Sequence, residues 1–177
     1  MEPVKDIHLK ENQTVKDLIS QFKESGGFSA EFLAKGHDIW QDMQKDDSCT
    51  KFFSFPSCIC ATGTRGIIKD LIKEKKVDVV ITTCGTLDHD LARLWKDYYQ
   101  GTFFADDKKL YEKGINRLGN VFVPNESYGI VLEKMMQPLL KKLYESRKEW
   151  NTRDLIWAFG ESIKDEPNAE DSILYWA

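Results

Sequence analysis

Apolar positions recur along this chain with two periods, and the switch between them outlines the fold. Val15, Leu18, Ile19 and Phe22 repeat at helical spacing behind Thr14, an N-cap residue with Asp17 at the third helical position. Gly26-Gly27 is expected to stop that helix. Ser29 then opens a second helix, with Phe32, Leu33, Ile39, Trp40 and Met43 as its apolar positions and Phe28 and Leu33 set as a hydrophobic staple. Lys45 to Ser48 is a polar loop. Lys51 to Phe55 reads as a strand, Arg65 to Glu74 as a helix presenting Ile67, Ile68, Leu71 and Ile72, and Val77 to Thr82 as a second strand. Together they predict a β-α-β unit with a right-handed crossover. The β-branched run Val77, Val79, Val80 and Ile81 is what a parallel strand needs when both its faces are covered.

Further on, a helix is expected from Asp88 to about Trp95, and Tyr98 to Lys109 is an aromatic and acidic excursion, a surface loop or interface. Asn120 to Pro124 (NVFVP) reads as a third strand. Glu126 to Ser146 carries Val131, Leu132, Met135, Met136, Leu139, Leu140 and Leu143 at helical spacing, with Pro138 expected to kink it. Thr152 is the expected cap of the next helix, and Ser172 to Ala177 begins another. The fold class is α/β, a Rossmann-like parallel sheet with flanking helices. Residues 1–48 form N-terminal helices and 49–177 the β-α-β portion. About three parallel strands make an incomplete sheet, and Ile173, Leu174, Tyr175 and Trp176 end the sequence on an apolar helix. Both features lead us to expect a second half or a partner chain that completes the sheet and covers this end.

Composition narrows the function classes. Hydrophobic residues make up 41% and charged residues 31% of 177 positions, which is ordinary for one globular domain with a real core. A net charge of −4 argues against nucleic-acid binding, which favours a basic face. Lys73, Lys75 and Lys76, and Lys141 and Lys142, read as solvated helix surface. No apolar run approaches the ~20 residues that span a bilayer, and the N-terminus lacks a signal-like apolar segment. The expected location is therefore the cytoplasm. Cys58 and Cys60 alternate, so on a strand they would face the same way. With Cys84 and His89 they suggest a metal cluster only weakly, because structural zinc sites use wider spacings. Reduced thiols serving as small apolar residues are the favoured reading.

Candidate chemistry gathers in two strand-end turns, Ser57 to Gly63 (SCICATG) and Thr83 to Gly85. Ligands of open α/β sheets bind beyond the carboxyl ends of the strands. Small and hydroxyl residues leading into helix N-termini suit a pyrophosphate there. A G-x-G-x-x-G fingerprint is absent, so the ordinary dehydrogenase pattern is not supported. Asp88 and Asp90 fall in the expected first helical turn, stabilised by the dipole or facing a cationic substrate. His89, if neutral, can accept a proton from a substrate amine near pH 7, or can simply hydrogen-bond the turn.

These residues carry a resemblance. VDVVITTCGTLDHDLAR (Val77 to Arg93), Pro3 to Ala34, FFSFPSCICATGTRG (Phe52 to Gly66), GINRLGNVFVPNESYG (Gly114 to Gly129) and SILYWA (Ser172 to Ala177) resemble, in order, the deoxyhypusine synthase family in its shorter form. The match covers nearly all of this chain and about the first half of the family's sequence. The resemblance implies NAD held by Ser57, Cys58, Ala61 and Thr62 in the first turn and by Thr83, Cys84 and Gly85 in the second. It sets Asp88 and His89 near the nicotinamide and the polyamine amine. Cys58 stands where the family commonly has Asn, which costs a hydrogen-bonding group.

The implied reaction moves the aminobutyl group of spermidine to a lysine of the hypusine-containing translation factor, with NAD as a transient hydride carrier. An enzyme lysine of lowered pKa captures the group in between. Lys69, Lys73, Lys108 and Lys134 sit in polar contexts and none matches the family's lysine motif, so no nucleophile is assigned in this chain and it is expected to be inactive alone. The implied partners are a complementary C-terminal half or a full-length paralogue, in a homo- or hetero-tetramer. The aromatic excursion at Tyr98, Tyr99, Phe103 and Phe104 is a candidate interface. A non-catalytic regulatory copy, and a relative that transfers to a small amine as homospermidine synthases do, remain as alternatives.

Overall fold

The structure is a computed structural model describing residues 1–177, which divide into two compact units, Met1–Lys51 and Phe52–Ala177. In the first unit, α1 (Val15–Phe22) and α2 (Ala30–Lys45) pack on each other. Thr14 and Asp17 form the reciprocal capping box that the sequence predicts. α1 ends at Phe22, ahead of Gly26. The staple at α2 does not form. Ser29 makes no side-chain cap bond, Phe28 sits at φ +30° and fully exposed, and Leu33 is exposed too.

The second unit starts with the predicted β-α-β unit. β1 (Phe52–Phe55), α3 (Thr64–Lys73) and β2 (Val79–Thr82) follow in order, and the strands pair in parallel with Phe52 opposite Val79 and Phe55 opposite Thr82. A 3-10 helix, Ser57–Ala61, occupies the expected loop. Cys58 and Cys60 therefore do not share a strand face: Cys58 is exposed and Cys60 wholly buried. One sheet face, with Phe53, Phe55 and Val80, packs with Cys60, Ile68 and Ile173. The other carries Phe52, Ser54, Val79 and Ile81 and is open, with Phe52 64% and Ile81 55% exposed. Within this chain β2 is thus covered on one face, where the β-branched run predicts two.

α4 (Gly85–Trp95) follows β2 and begins three residues before Asp88. The third strand is corrected in kind. β5 (Val121–Pro124) does not join the parallel pair but lies between β3 (Tyr99–Gln100) and β4 (Ile115–Leu118) in a separate antiparallel sheet. α5 (Asp107–Glu112) leads into β4, capped by Asp106. Gly119-Asn120 makes the two-residue hairpin joining β4 to β5, with φ +62° at Gly119, the position a primed turn reserves for glycine.

α6 (Gly129–Ser146) continues through Pro138. α7 (Thr152–Ser162) is capped by Asn151, one residue before the expected Thr152. α8 (Ile173–Trp176) is capped by Ser172. Leu91 and Leu94 of α4, Phe159 of α7, Ile163 and Leu174 build the main core, with α6 contributing Leu132, Met136, Leu139 and Leu143. The apolar segment at Ile173 and Leu174 is thus buried by α3, α4 and α7 of this same chain, against the expectation that a partner covers it. No helix is long and apolar enough to cross a membrane.

Candidate functional site

The two predicted turns meet. The 3-10 helix after β1 packs on the start of α4 after β2. The Ser57 amide donates to Thr83 Oγ1 at 3.1 Å. Thr82 Oγ1 donates to the Phe55 carbonyl at 2.8 Å and shares a 2.7 Å hydrogen bond with Thr86 Oγ1. Cys60 Sγ reaches the same Thr86 hydroxyl at 3.8 Å. Gly85 is required by this approach: a Cβ there would overlap Ser57 Oγ and stand 3.0 Å from Ser57 Cβ. Thr83 and Cys84 remain exposed where α4 begins. The Thr86 and Leu87 amides are tied to the Thr83 and Cys84 carbonyls at 3.0 and 2.9 Å, so what this edge offers an anionic ligand is a small, hydroxyl-bearing turn at the positive end of the α4 dipole.

Asp88 and His89 form the wall beside the second turn. Asp88 Oδ1 accepts from the His89 amide at 2.8 Å, and Oδ2 accepts from the Tyr128 hydroxyl at 2.6 Å. His89 Nδ1 lies 2.9 Å from the Tyr98 hydroxyl, and the Tyr128 ring packs on the imidazole with centroids 5.3 Å apart. Burial pushes the His89 pKa below its ordinary value; the Asp88 charge opposes this and Arg93 adds to it. Tyr98 is pushed up, chiefly by burial, and Tyr128 up to about 12 by burial and its bond to Asp88. Arg93 donates through Nη1 to the carbonyls of Cys60 and Thr62 at 2.7 and 2.6 Å, clasping the first turn to α4, with its guanidinium 5.9 Å from the Tyr98 ring centroid.

Asp90 does not belong to this wall. It is fully buried, past the first turn of α4, where Arg65 Nε donates to Oδ1 at 2.6 Å. Ser172 Oγ and the Leu174 amide donate to Oδ2 at 2.6 and 3.0 Å. The acid that the sequence offers to a cationic substrate is instead spent on holding α3, α4 and α8 together. Of the predicted site residues, Ser57, Thr83 and Gly85 are in direct contact and Asp88 and His89 adjoin them. Cys60 and Ala61 are buried beneath the turn, and Cys58 points outward. Tyr128 and Arg93 carry no site role in the sequence reading, and Tyr98, read there as part of a candidate interface, instead bonds His89 within the chain. The only signal was a pair of tyrosines in a segment read as loop and in the SYG run ahead of α6. No three His, Cys, Asp or Glu side chains are grouped to hold a metal ion.

A parallel β-α-β unit with its polar residues at the carboxyl ends of the strands defines an α/β protein of the ligand-at-the-strand-ends kind. Similarity to known proteins makes the class specific. A family model for deoxyhypusine synthase matches residues 17–177. A probable deoxyhypusine synthase of Picrophilus torridus is 53% identical over 174 residues, covering 98% of this chain and 54% of that protein. Those of Thermoplasma volcanium and Sulfolobus acidocaldarius are 50% and 40% identical over 173 and 164 residues, covering 98% and 92% of this chain and 54% and 52% of those proteins. A crystal structure from Entamoeba histolytica, provisionally assigned as a deoxyhypusine synthase, superposes with a TM-score of 0.63 at 17% identity, covering 98% of this chain and 60% of that one. The chain belongs to the deoxyhypusine synthase family, and it spans about half the length of the curated relatives it matches.

Proposed function

We propose that this chain supplies the NAD-binding portion of a deoxyhypusine synthase-type transferase, which moves the aminobutyl group of spermidine to a lysine of the hypusine-containing translation factor. The observation that carries the reading is the junction of the two strand-end turns beside Asp88 and His89, in a chain of this family. Ser57, Cys58, Thr62, Thr83, Cys84 and Gly85 hold the dinucleotide, with Ala61 packed beneath the turn as its support and the exposed start of α4 at the pyrophosphate. NAD, when bound, supplies a hydride acceptor that later returns the hydride. The residues fit such a group: the turn is small and hydroxyl-bearing, and it lies at the N-terminus of α4. Asp88 gives a carboxylate for a polyamine ammonium, with Tyr128 fixing its orientation.

The nucleophilic lysine belongs to the remainder of the family's length. That remainder, as a separate polypeptide or a continuation of this one, covers the open sheet face of Phe52, Val79 and Ile81, whose exposure supports the reading. Assembly is tetrameric and cytoplasmic in this proposal. The test is reconstitution. The chain alone, and the chain co-expressed with the family's remaining portion, are assayed for NAD- and spermidine-dependent modification of the translation factor. Activity only in the combined sample supports the proposal; none in either refutes it. A second reading, a non-catalytic copy that binds a full-length synthase, is favoured by the exposed Cys58 thiol in place of the family's Asn. It predicts binding to the synthase without binding to NAD.

A further inference from the structure

His89 and Tyr98 form a pair whose hydrogen-bond direction is fixed by what surrounds them. The Tyr98 hydroxyl is half-buried, and His89 Nδ1, 2.9 Å away, is its one hydrogen-bond partner in the chain. A half-buried hydroxyl is best satisfied by an acceptor in the chain. If Nδ1 carried the imidazole proton, it would donate to the phenol oxygen, and the phenol proton would have no acceptor within the chain. With Tyr98 donating, both groups are satisfied. The neutral imidazole has one protonated nitrogen and one acceptor, so an occupied acceptor at Nδ1 sets the proton on Nε2.

The ring is held on the other sides as well. Tyr128 packs on the imidazole, Tyr98 meets it edge-on at 5.8 Å between centroids, and Arg93 braces the Tyr98 ring. Asp88, the nearest carboxylate, has its oxygens turned to the His89 amide and the Tyr128 hydroxyl, away from Nδ1 in bonding terms. Burial disfavours the protonated imidazole. Nε2 makes no hydrogen bond within the chain, so it is the free polar atom of the pair.

We infer that Tyr98 is a positioning residue that locks His89 as the Nε2–H tautomer, so that His89 offers the site a hydrogen-bond donor for a ligand oxygen rather than a base for an ammonium. This rests on the proposed function and deepens it. Asp88 then takes the cationic polyamine, while His89 takes an oxygen of the dinucleotide, on its carboxamide or its phosphates. The division follows from charge, since an ammonium has no lone pair to accept from Nε2–H.

The experiment is long-range proton–nitrogen spectroscopy, with backbone amide spectra alongside, of the 177-residue chain labelled uniformly with 15N at pH 8, with His89→Gln to assign the ring. The expected result is a proton on Nε2 and a hydrogen-bonded, unprotonated Nδ1. Tyr98→Phe should move Nδ1 to the position of a free acceptor and leave the backbone spectrum of α4 in place. Addition of NAD should shift the Nε2 proton without protonating Nδ1. ADP-ribose, which lacks the nicotinamide, should reproduce that shift if the acceptor is a phosphate and abolish it if it is the carboxamide. Dinucleotide affinity should fall about three- to tenfold in His89→Ala and less in His89→Gln. A proton on Nδ1 in the unaltered chain overturns the inference while leaving the cofactor reading intact. Absence of any NAD-induced shift at Ser57–Thr62 and Thr83–Gly85 refutes the cofactor reading, and leaves the Tyr98 assignment to stand on the free-state spectrum.

Discussion

Replacing Asp90 by alanine tests the account of how the site is held. The carboxylate is fully buried and accepts from the Arg65 guanidinium, the Ser172 hydroxyl and the Leu174 amide. Its removal leaves a guanidinium whose side chain is 8% exposed without its partner, and two further donors unmatched. Breaking a buried ion pair from one side costs about 3–5 kcal/mol, and each stranded neutral donor adds about 1 kcal/mol or more unless water reaches it. A loss of about 4 kcal/mol is a conservative figure, because some relaxation is certain. It lowers the urea midpoint by roughly 2 M and the melting temperature by roughly 10–20 °C. The assay is urea unfolding followed by tryptophan fluorescence; Trp95 of α4 and Trp176 of α8 lie on elements the network joins. A double-mutant cycle with Arg65→Met completes the test, with a coupling of about 2 kcal/mol expected for groups in one network. A loss below about 1 kcal/mol for Asp90→Ala, or no coupling, would refute the reasoning.

Gly85→Ala should destabilise by about 1–3 kcal/mol, because its Cβ overlaps Ser57, and should weaken NAD binding in titration calorimetry. Gly66→Ala, inside α3 with open space at the Cβ, should instead stabilise by roughly 0.5–1 kcal/mol. Cys58→Asn places an amide that can both donate and accept on an exposed edge of the proposed NAD site and should tighten NAD binding about three- to tenfold, by calorimetry. The His89 pKa is depressed on folding, so its contribution is present above the unfolded value near 6.5 and is lost as pH falls through the folded pKa. Acid unfolding curves of His89→Gln should be flatter below about pH 6.5 than those of the unaltered chain. Tyr128 has the opposite sense. Its folded pKa is raised to about 12, so stability present below pH 10 is lost as pH rises through that range, and Tyr128→Phe should flatten alkaline unfolding there.

The β-α-β unit was legible because its strands are β-branched or aromatic runs and its helix repeats Ile67, Ile68, Leu71 and Ile72 at a single period. Capping at Thr14 was legible for the same local reason. The antiparallel sheet was not. Its strand Ile115–Leu118 sets adjacent Asn and Arg between only two apolar residues, and Tyr99–Gln100 is two residues long. The one clear signal is Gly-Asn set between two runs at Gly119-Asn120, which makes NVFVP the return strand of a hairpin where its apolar run suggests a third parallel strand. At the site, the turn residues announced themselves by size and position at strand ends. Asp90 looked equivalent to Asp88 because sequence gives spacing along a helix but not which side faces the core. Tyr98 and Tyr128 acquire meaning only through folding, which brings residue 128 to residue 88.

The Asp90 network also sets a schedule for synthesis. Its donors at Ser172 and Leu174 lie 82 and 84 residues downstream. While a ribosome is still adding the intervening helices, α4 can form and the two turns can be made, yet the carboxylate at the heart of the unit lacks two of its donors. Long-range closure of this kind is slow relative to local helix formation. Until residue 174 is available Arg65 is the carboxylate's only partner from an earlier element, and the donors to Oδ2 are missing. A chain interrupted before that point should persist as a loose, protease-sensitive species rather than as a smaller folded domain.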